Sequence, residues 1–294
     1  MPAHWSKITL VGVGLLGGSI GLAAKQRRLA DRVSGFVRRM ESVAECVKAG
    51  AVDTAGTDLA RAIDGADLVI LCTPLSQMAS LTTKLIPGLQ RGAIVTDVGS
   101  VKGSVVAELS PLVAGAGGHF IGSHPMAGAE KMGVASARAD LFEKAICVVT
   151  PTAGADKEAL RRVEQFWSDL GGVPLRMSPE LHDDLVSRSS HLPHVVAAEL
   201  ANYVLSPVHP KEQAAVCATG FRDTTRIASG SPEMWRDIAL ANRLHLARVL
   251  GVFIEDLQEF QLALENGDTK TIEEFFETAK QRRDAWVDGG NSPE

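Results

Sequence analysis

The strongest candidate for acid–base chemistry in this chain is His124, which lies in the glycine- and proline-containing stretch SHPMAG at residues 123–128. A neutral imidazole accepts a proton near neutral pH, so this side chain is suited to taking a proton from a hydroxyl group. Far upstream, residues 12–17 read GVGLLG. That pattern between a strand and a helix is typical of dinucleotide binding. Together the two stretches indicate hydride transfer to a nicotinamide, coupled to loss of a hydroxyl proton.

Each glycine of the upstream pattern has a separate expected role. Gly12 permits the tight turn, Gly14 lets a pyrophosphate approach the backbone, and Gly17 lets the helix pack closely. The N-terminus of that helix offers unpaired backbone N–H groups to phosphate. Further cofactor contacts are expected at the start of this helix and at the ends of later strands, from Leu15, Leu16, Thr73, Pro74 and Ser100.

The end of the second expected strand bears on the choice between NAD and NADP. NAD sites usually carry an acidic residue there to bind the ribose hydroxyls. Val37 occupies that position, and Arg38 and Arg39 follow it. Guanidinium groups pair with a 2′-phosphate, which a carboxylate would repel. The sequence therefore favours NADP, with NAD as the alternative; a solvated helix start is the functionally neutral reading of the two arginines.

The first half of the chain alternates short apolar runs with amphipathic segments, as in a parallel sheet covered by helices on both faces. His124 is expected on a loop just past the sixth strand, at the edge where a cofactor binds. Ser100, at a neighbouring strand end, is expected to hydrogen-bond its imidazole. The expected strands lie at residues 8–11, 33–37, 68–72, 93–97, 119–121, 145–150 and 173–177.

The chain changes character at Ser178, a good helix N-cap that Pro179 follows at a favourable first helical position. Helices are then expected around residues 180–205, 211–227, 232–266 and 269–287. The predicted fold class is α/β, with a Rossmann-type, doubly wound, mainly parallel sheet in residues 1–177 and an all-helical dimerisation domain in residues 178–294. Apolar residues on more than one face of the segment 240–257 favour a homodimer over intramolecular packing alone.

Composition excludes several other classes of protein. The 294 residues are 45% hydrophobic and 22% charged, with a net charge of −5, so neither nucleic acid nor an acidic membrane is an expected partner. No apolar run is long enough to span a bilayer. Four widely spaced cysteines suggest neither a metal site nor a disulfide framework. A cytoplasmic location is expected.

Polar side chains suited to an anionic substrate form further clusters, SHLPH at residues 190–194 and GFRDTTR at residues 220–226. With SPELHD at 178–183, GSVKG at 99–103, SHPMAG and the glycine turn, they make the chain similar, over nearly its whole length, to the prephenate/arogenate dehydrogenase family. That resemblance implies that His124 bonds the hydroxyl on the substrate ring and that Ser100 supports it. It also implies oxidative decarboxylation of prephenate to 4-hydroxyphenylpyruvate, without a metal.

The same resemblance implies a dianionic substrate, and so a need for cations. Arg226 is the expected carboxylate clamp. Of His191 and His194, one is expected to face the substrate or nicotinamide and the other to cap or pack, beside Ser190. Trp235 is expected either to wall the pocket across a dimer interface or to pack in the core. His182, in the first turn of a helix, is given a structural role.

Prephenate and arogenate differ by a keto group against an amine. An acidic contact would favour arogenate, and none is evident near His194, so prephenate is favoured, with arogenate or use of both substrates as the alternative. Two further hypotheses stay open from the sequence. One is a β-hydroxyacid dehydrogenase-like enzyme, which would need a catalytic lysine in the helical half, where Lys211 is a poor match. The other is a non-catalytic NADP-binding protein.

Overall fold

The computed structural model describes residues 4–128 and 132–291, and within them one eight-stranded sheet dominates the N-terminal half. Its order is β3-β2-β1-β4-β5-β6-β7-β8. The first six strands follow the order of dinucleotide-binding doubly wound sheets, which confirms the predicted α/β class. The strands are β1 (Trp5–Val11), β2 (Ala30–Phe36), β3 (Thr54–Gly56), β4 (Leu68–Leu71), β5 (Ile94–Asp97), β6 (His119–Pro125), β7 (Ile146–Thr150) and β8 (Val173–Arg176).

Strands β1 to β6 are parallel to their neighbours, while β7 runs antiparallel to β6 and β8 runs parallel to β7. The helices that connect or flank these strands are α1 (Leu15–Gln26), α2 (Glu41–Lys48), α3 (Leu59–Ile63), α4 (Leu75–Leu85), α5 (Gly103–Gly115) and α6 (Lys157–Asp169). The sheet is therefore mainly parallel, as predicted, with one antiparallel pair.

Both faces of the sheet are buried, and central strand β4 shows why its sequence is apolar throughout. Leu68 and Ile70 point into one hydrophobic cluster, and Val69 and Leu71 point into the other. Successive side chains of a strand face opposite sides, so a strand covered on both faces needs an unbroken apolar run. Each such fully buried side chain contributes about 1.5–3 kcal/mol relative to an exposed one.

After β8 the described chain is helical. Ser178 Oγ accepts the backbone N–H of Leu181 at 3.1 Å, so Ser178 is the helix N-cap that its sequence predicts. The helices are α7 (Pro179–Val186), α8 (Leu192–Val204), α9 (Glu212–Ala215), α10 (Thr219–Thr225), α11 (Pro232–Ala241), α12 (Arg243–Asn266) and α13 (Thr269–Trp286).

The chain forms two compact units, residues 1–243 and residues 244–294. In the second, Phe260 packs against Phe275 and Phe276 between α12 and α13. The domain boundary expected after residue 177 stays a prediction. Within the described ranges, no helix is long and apolar enough to cross a membrane.

Local predictions differ from the structure at several places. Strand β3 was not expected, because three residues at a sheet edge carry little apolar signal. The helix expected over 180–205 is interrupted by a π-helical turn, Ser187–His191, just before Pro193, whose missing N–H breaks the regular ladder. The segment expected over 232–266 divides at Asn242, which caps α11.

Candidate active site

The turn between β1 and α1 can be formed only with glycine at two of its positions. Gly12 has a φ of +99°, and a Cβ there would lie 2.6 Å from the Cys72 carbonyl oxygen. A Cβ on Gly17 would lie 2.1 Å from the Gly12 carbonyl oxygen. At Gly14, by contrast, no heavy atom of the described residues lies within 4 Å of where a Cβ would be. That open position fits the close approach of a pyrophosphate.

The surroundings of this turn also fit a dinucleotide. Leu15 and Leu16 begin α1, whose first backbone N–H groups have no partner within the helix. Thr73 follows β4 beside Gly12, and its Oγ1 is buried with no hydrogen-bond partner among the described residues. Pro74, exposed at the N-cap of α4, is next to it. An unpartnered buried hydroxyl at this edge indicates a place for a ligand.

The end of β2 places two cations beside this turn. Val37 is buried in the hydrophobic core, and its N–H donates to the Gly56 carbonyl at 2.9 Å. Arg38 and Arg39 are exposed immediately beyond it. The position that holds a carboxylate in NAD-preferring sites is thus an apolar core position here.

His124 lies on β6 and not on a loop beyond it, which corrects the sequence-based placement. Residues 122–125 pair with β7 in antiparallel register, His124 opposite Val148 and Pro125 opposite Cys147. The predicted strand ended at residue 121 because SHPMAG has little apolar character, but a partner strand more than twenty residues further on extends the ladder. The imidazole is therefore held by a strand, which is more rigid than a loop.

The hydrogen-bond partner of His124 is a second histidine. His124 Nδ1 lies 2.9 Å from His182 Nε2, and His182 Nδ1 lies 2.7 Å from Asp183 Oδ1. All three side chains are buried. His182, to which the sequence analysis assigns a structural role, thus contacts His124 directly. Ser100 is a half-buried residue after β5, and its predicted hydrogen bond to His124 stays a prediction.

The electrostatics of this chain of side chains favour a neutral His124. Burial, reinforced by the nearby His182, Lys102 and His191, holds the pKa of His124 well below its usual value. Burial opposes ionisation of Asp183, but hydrogen bonds from His182 and from the backbone N–H groups of Lys102 and Gly103 outweigh it and lower its pKa. Asp183 is thus an anion, while His124 is an unprotonated base at neutral pH.

A buried ion pair supports the strand that carries His124. Lys102 Nζ pairs with Asp97 Oδ2 and donates to the Ser123 carbonyl at 2.7 Å. Asp97 Oδ1 accepts the Ser123 N–H at 3.1 Å. Burial lowers the pKa of Lys102, and the Asp97 carboxylate opposes that change. Sequence reasoning missed this pair; a lysine within the turn after a strand that ends in aspartate was its only signal.

His191 is the buried member of the SHLPH pair. Asn242 Nδ2 lies 3.1 Å from His191 Nδ1 and donates to the Asp183 carbonyl at 2.9 Å. Burial lowers the pKa of His191 to about 4. The Asp183 charge and a hydrogen bond between the imidazole and the Ser100 backbone oppose this lowering of the pKa. Asn242 was not anticipated from the sequence.

His194 and Trp235 form a flat surface within one protomer. Their rings stack with centroids 3.7 Å apart and an angle of 29° between planes, and His194 Nδ1 lies 2.9 Å from the Ser190 carbonyl oxygen. Burial lowers the pKa of His194, the Ser190 carbonyl opposes it, and the charge of Arg226 lowers it further. The structure therefore brings Arg226, Ser190, His194 and Trp235 together, next to His191.

The doubly wound sheet, the glycine turn and the buried histidines define the class of this protein as a Rossmann-type nucleotide-binding enzyme. The family model for the prephenate dehydrogenase nucleotide-binding domain matches residues 20–175, and that for the prephenate dehydrogenase dimerization domain matches residues 178–281. The chain belongs to the prephenate dehydrogenase family. Its resemblance to that family is confirmed, and the β-hydroxyacid dehydrogenase hypothesis is set aside.

Two relatives and one solved structure show how far the similarity extends. The chain is 36% identical over 283 residues to the prephenate dehydrogenase of Bacillus subtilis, covering 94% of this chain and 75% of that protein. It is 34% identical over 281 residues to the cyclohexadienyl dehydrogenase of Zymomonas mobilis, covering 94% of each. The crystal structure of Aquifex aeolicus prephenate dehydrogenase in complex with hydroxyphenyl propionate and NAD+ aligns with a TM-score of 0.89 at 34% identity, over 94% of this chain and 96% of that one.

Proposed function

We propose that this enzyme converts prephenate to 4-hydroxyphenylpyruvate and CO2 and transfers a hydride to NADP. The observation that carries the proposal is the buried, neutral imidazole of His124, which is hydrogen-bonded to His182. His124 lies on β6, a strand that ends at the same edge of the sheet as the glycine turn. When bound, the nicotinamide supplies the hydride acceptor. The protein supplies orientation, a proton acceptor and charge placement.

His124 handles one proton twice. It accepts the proton of the ring hydroxyl as hydride leaves the same carbon, so that carbon becomes a ketone. Loss of CO2 then returns an electron pair to the ring, which becomes aromatic and leaves an oxyanion that takes the proton back from His124. Each prephenate dianion thus yields one 4-hydroxyphenylpyruvate anion, one CO2 and one hydride, with no net proton released.

The side chains around Trp235 are proposed to bind the carboxylates of the substrate. Arg226 offers a guanidinium beside His194, the His194–Trp235 stack offers a flat surface to the ring, and His191 and Ser190 offer polar contacts. These groups are cationic or neutral, which suits the keto side chain of prephenate better than the ammonium group of arogenate. Arogenate is kept as the second candidate because the Zymomonas mobilis relative is a cyclohexadienyl dehydrogenase.

NADP is proposed over NAD because Arg38 and Arg39 are exposed beyond β2 and Val37 replaces the usual carboxylate. The Aquifex aeolicus relative was solved with NAD+, so NAD is the alternative to test. We further propose a homodimer formed by a helical domain that begins at residue 178, because the matching model is that of a dimerization domain. Exposed apolar residues on α12 support it, namely Leu244, Val252, Ile254, Leu257, Leu262 and Leu264.

The experiment that tests this proposal offers prephenate and arogenate separately to the purified protein, each with NADP and with NAD, and follows reduced nicotinamide by absorbance. Fastest turnover of prephenate with NADP is expected, with 4-hydroxyphenylpyruvate as the identified product. Turnover in none of the four combinations, with NADPH still bound, would favour a non-catalytic NADP-binding protein. Sedimentation should give about twice the 31.2 kDa mass of the chain.

A further inference from the structure

We infer that His182 and Asp183 are positioning residues that fix which nitrogen of His124 carries its proton. The inference rests on the proposed function, in which His124 is the proton acceptor. A histidine can accept a proton only at a nitrogen that has a free lone pair. The arrangement of His124, His182 and Asp183 leaves that lone pair on Nε2 of His124.

Asp183 is an ionised carboxylate, so its oxygens can only accept hydrogen bonds. Its Oδ1 accepts the Lys102 N–H at 2.7 Å, and its Oδ2 accepts the Gly103 N–H at 2.8 Å. His182 Nδ1, 2.7 Å from Oδ1, must therefore carry a hydrogen and donate it. With a single hydrogen, on Nδ1, His182 keeps a lone pair on Nε2. We therefore assign the 2.9 Å contact as a hydrogen bond that His124 Nδ1 donates to this atom.

The groups around His124 favour the tautomer with its proton on Nδ1. The titratable groups that face it come from three elements: His182 on α7, Lys102 between β5 and α5, and His191 on the π-helical turn. Lys102 is paired with Asp97, and Asn242 holds both the Asp183 carbonyl and His191. When His124 is protonated at Nε2, its Nδ1–H still donates to His182, so the bond to His182 survives proton transfer and Asp183 offsets the new charge.

The same carboxylate also joins two parts of the site. By accepting the N–H groups of Lys102 and Gly103, Asp183 fixes the start of α5 and the end of the turn that contains Ser100. If Asp183 and His182 had only a structural role, they would hold this backbone, and the position of the proton on His124 would not depend on His182. A positioning role and a purely structural role of His182 therefore differ in the tautomer of His124, which can be measured by spectroscopy as well as through activity.

The first test is ¹⁵N NMR of imidazole-labelled wild-type protein at neutral pH, with signals assigned by His124→Asn and His182→Gln. The expected signature is a protonated Nδ1 and an unprotonated Nε2 for His124, and a protonated Nδ1 for His182. An Nε2–H tautomer of His124 in the wild type would overturn the inference. This readout needs no turnover, so it is decided even if prephenate is not the substrate.

The second test compares His182→Leu with His182→Gln, whose terminal oxygen retains an acceptor, and with His119→Gln at the other end of β6 as control. His182→Leu should lower kcat by about 10²-fold, with KM changed less than about threefold, because the base is mispositioned for proton transfer while the substrate contacts remain. His182→Gln should recover part of this loss, and the control should match wild type. Equal kcat for all folded variants would overturn the inference. An inactive wild type would instead overturn the proposed function.

Discussion

The two halves of the candidate site are built in opposite ways. The nucleotide turn depends on side chains that are missing, since Gly12 and Gly17 leave no room for a Cβ. The histidine network depends on buried polar side chains that each need a partner, from Asp97 through His124 to Asn242. The first is contained in six consecutive residues; the second joins segments as far apart as Lys102 and Asp183.

The two halves are therefore sensitive to different kinds of substitution. A change in the turn acts through sterics and is felt by the backbone and the bound nucleotide. A change in the network removes one hydrogen-bond partner and leaves another group buried and unsatisfied, at a cost of about 1–3 kcal/mol. Variants should therefore separate into those that impair nucleotide binding and those that impair proton transfer.

The largest separation is expected for His124→Asn. The amide cannot accept the hydroxyl proton as an imidazole does, so kcat for prephenate should fall by about 10³-fold or more. NADPH affinity should stay within about twofold of wild type, because the glycine turn is untouched. Steady-state kinetics measures the effect on proton transfer, and fluorescence titration of NADPH measures the effect on nucleotide binding. Full turnover by the variant would remove His124 from the proposed role.

Asp183→Asn should impair the histidine network at two places, the His182 imidazole and the backbone at the start of α5. The NH₂ group of the asparagine would face hydrogen-bond donors, namely His182 Nδ1–H and the backbone N–H groups of Lys102 and Gly103. It would therefore favour the other tautomer of His182 and weaken the hydrogen bonds to that backbone. We expect kcat to fall by about 10²-fold and stability to fall by about 1–3 kcal/mol. Kinetics and urea denaturation measure both. Asp184→Asn, at the next position, is the matched control; equal losses in the two variants would contradict this role.

Acid should lower the stability of the folded protein through the histidine network, and not through the glycine turn. The pKa of His191 is about 4 in the folded protein and about 6.5 when unfolded. The unfolded state therefore binds more protons between these values, and stability is lost as pH falls through that window, by up to about 3 kcal/mol. Urea midpoints should fall with pH less steeply in His191→Phe than in wild type. Parallel slopes would contradict the assignment.

Two glycine substitutions test the turn itself. Gly17→Ala places a methyl group against the Gly12 carbonyl, which should cost about 1–3 kcal/mol of folding stability. Gly14→Ala meets open space and costs less than about 1 kcal/mol as an N-cap change, yet its methyl group should obstruct the pyrophosphate and raise the Kd for NADPH. Thermal denaturation and NADPH titration separate the two effects. Unchanged NADPH affinity in Gly14→Ala would show that no phosphate approaches there.

The smallest expected effect concerns the 2′-phosphate. Replacing Arg38 and Arg39 by alanine should raise the Kd for NADPH about tenfold, equivalent to about 1.4 kcal/mol, and leave that for NADH nearly unchanged. Arg32→Ala, an exposed arginine elsewhere on β2, is the control. Equal effects on both nucleotides would contradict the preference for NADP.

The sequence predicts the glycine turn better than it predicts the histidine network. The glycine turn, the parallel strands and the Ser178 cap are local patterns, so they are readable from neighbouring residues. The extension of β6 to His124 depends on β7, and the role of His182 depends on a contact across 58 positions. Adjacent His182 and Asp183 in one helical turn were visible, but nothing local showed that they face His124. Buried polar networks are assembled by the fold, which is why Lys102 and Asn242 were missed.

A crystal structure with NADP and 4-hydroxyphenylpyruvate bound would show directly whether His124 contacts the reacting oxygen. We expect the phenolic oxygen within about 2.6–3.2 Å of His124 Nε2, with a carboxylate on Arg226 and the pyrophosphate over Gly14. A product ring bound away from His124, or a phenolic oxygen held by another side chain while His124 stays bonded only to His182, would contradict it.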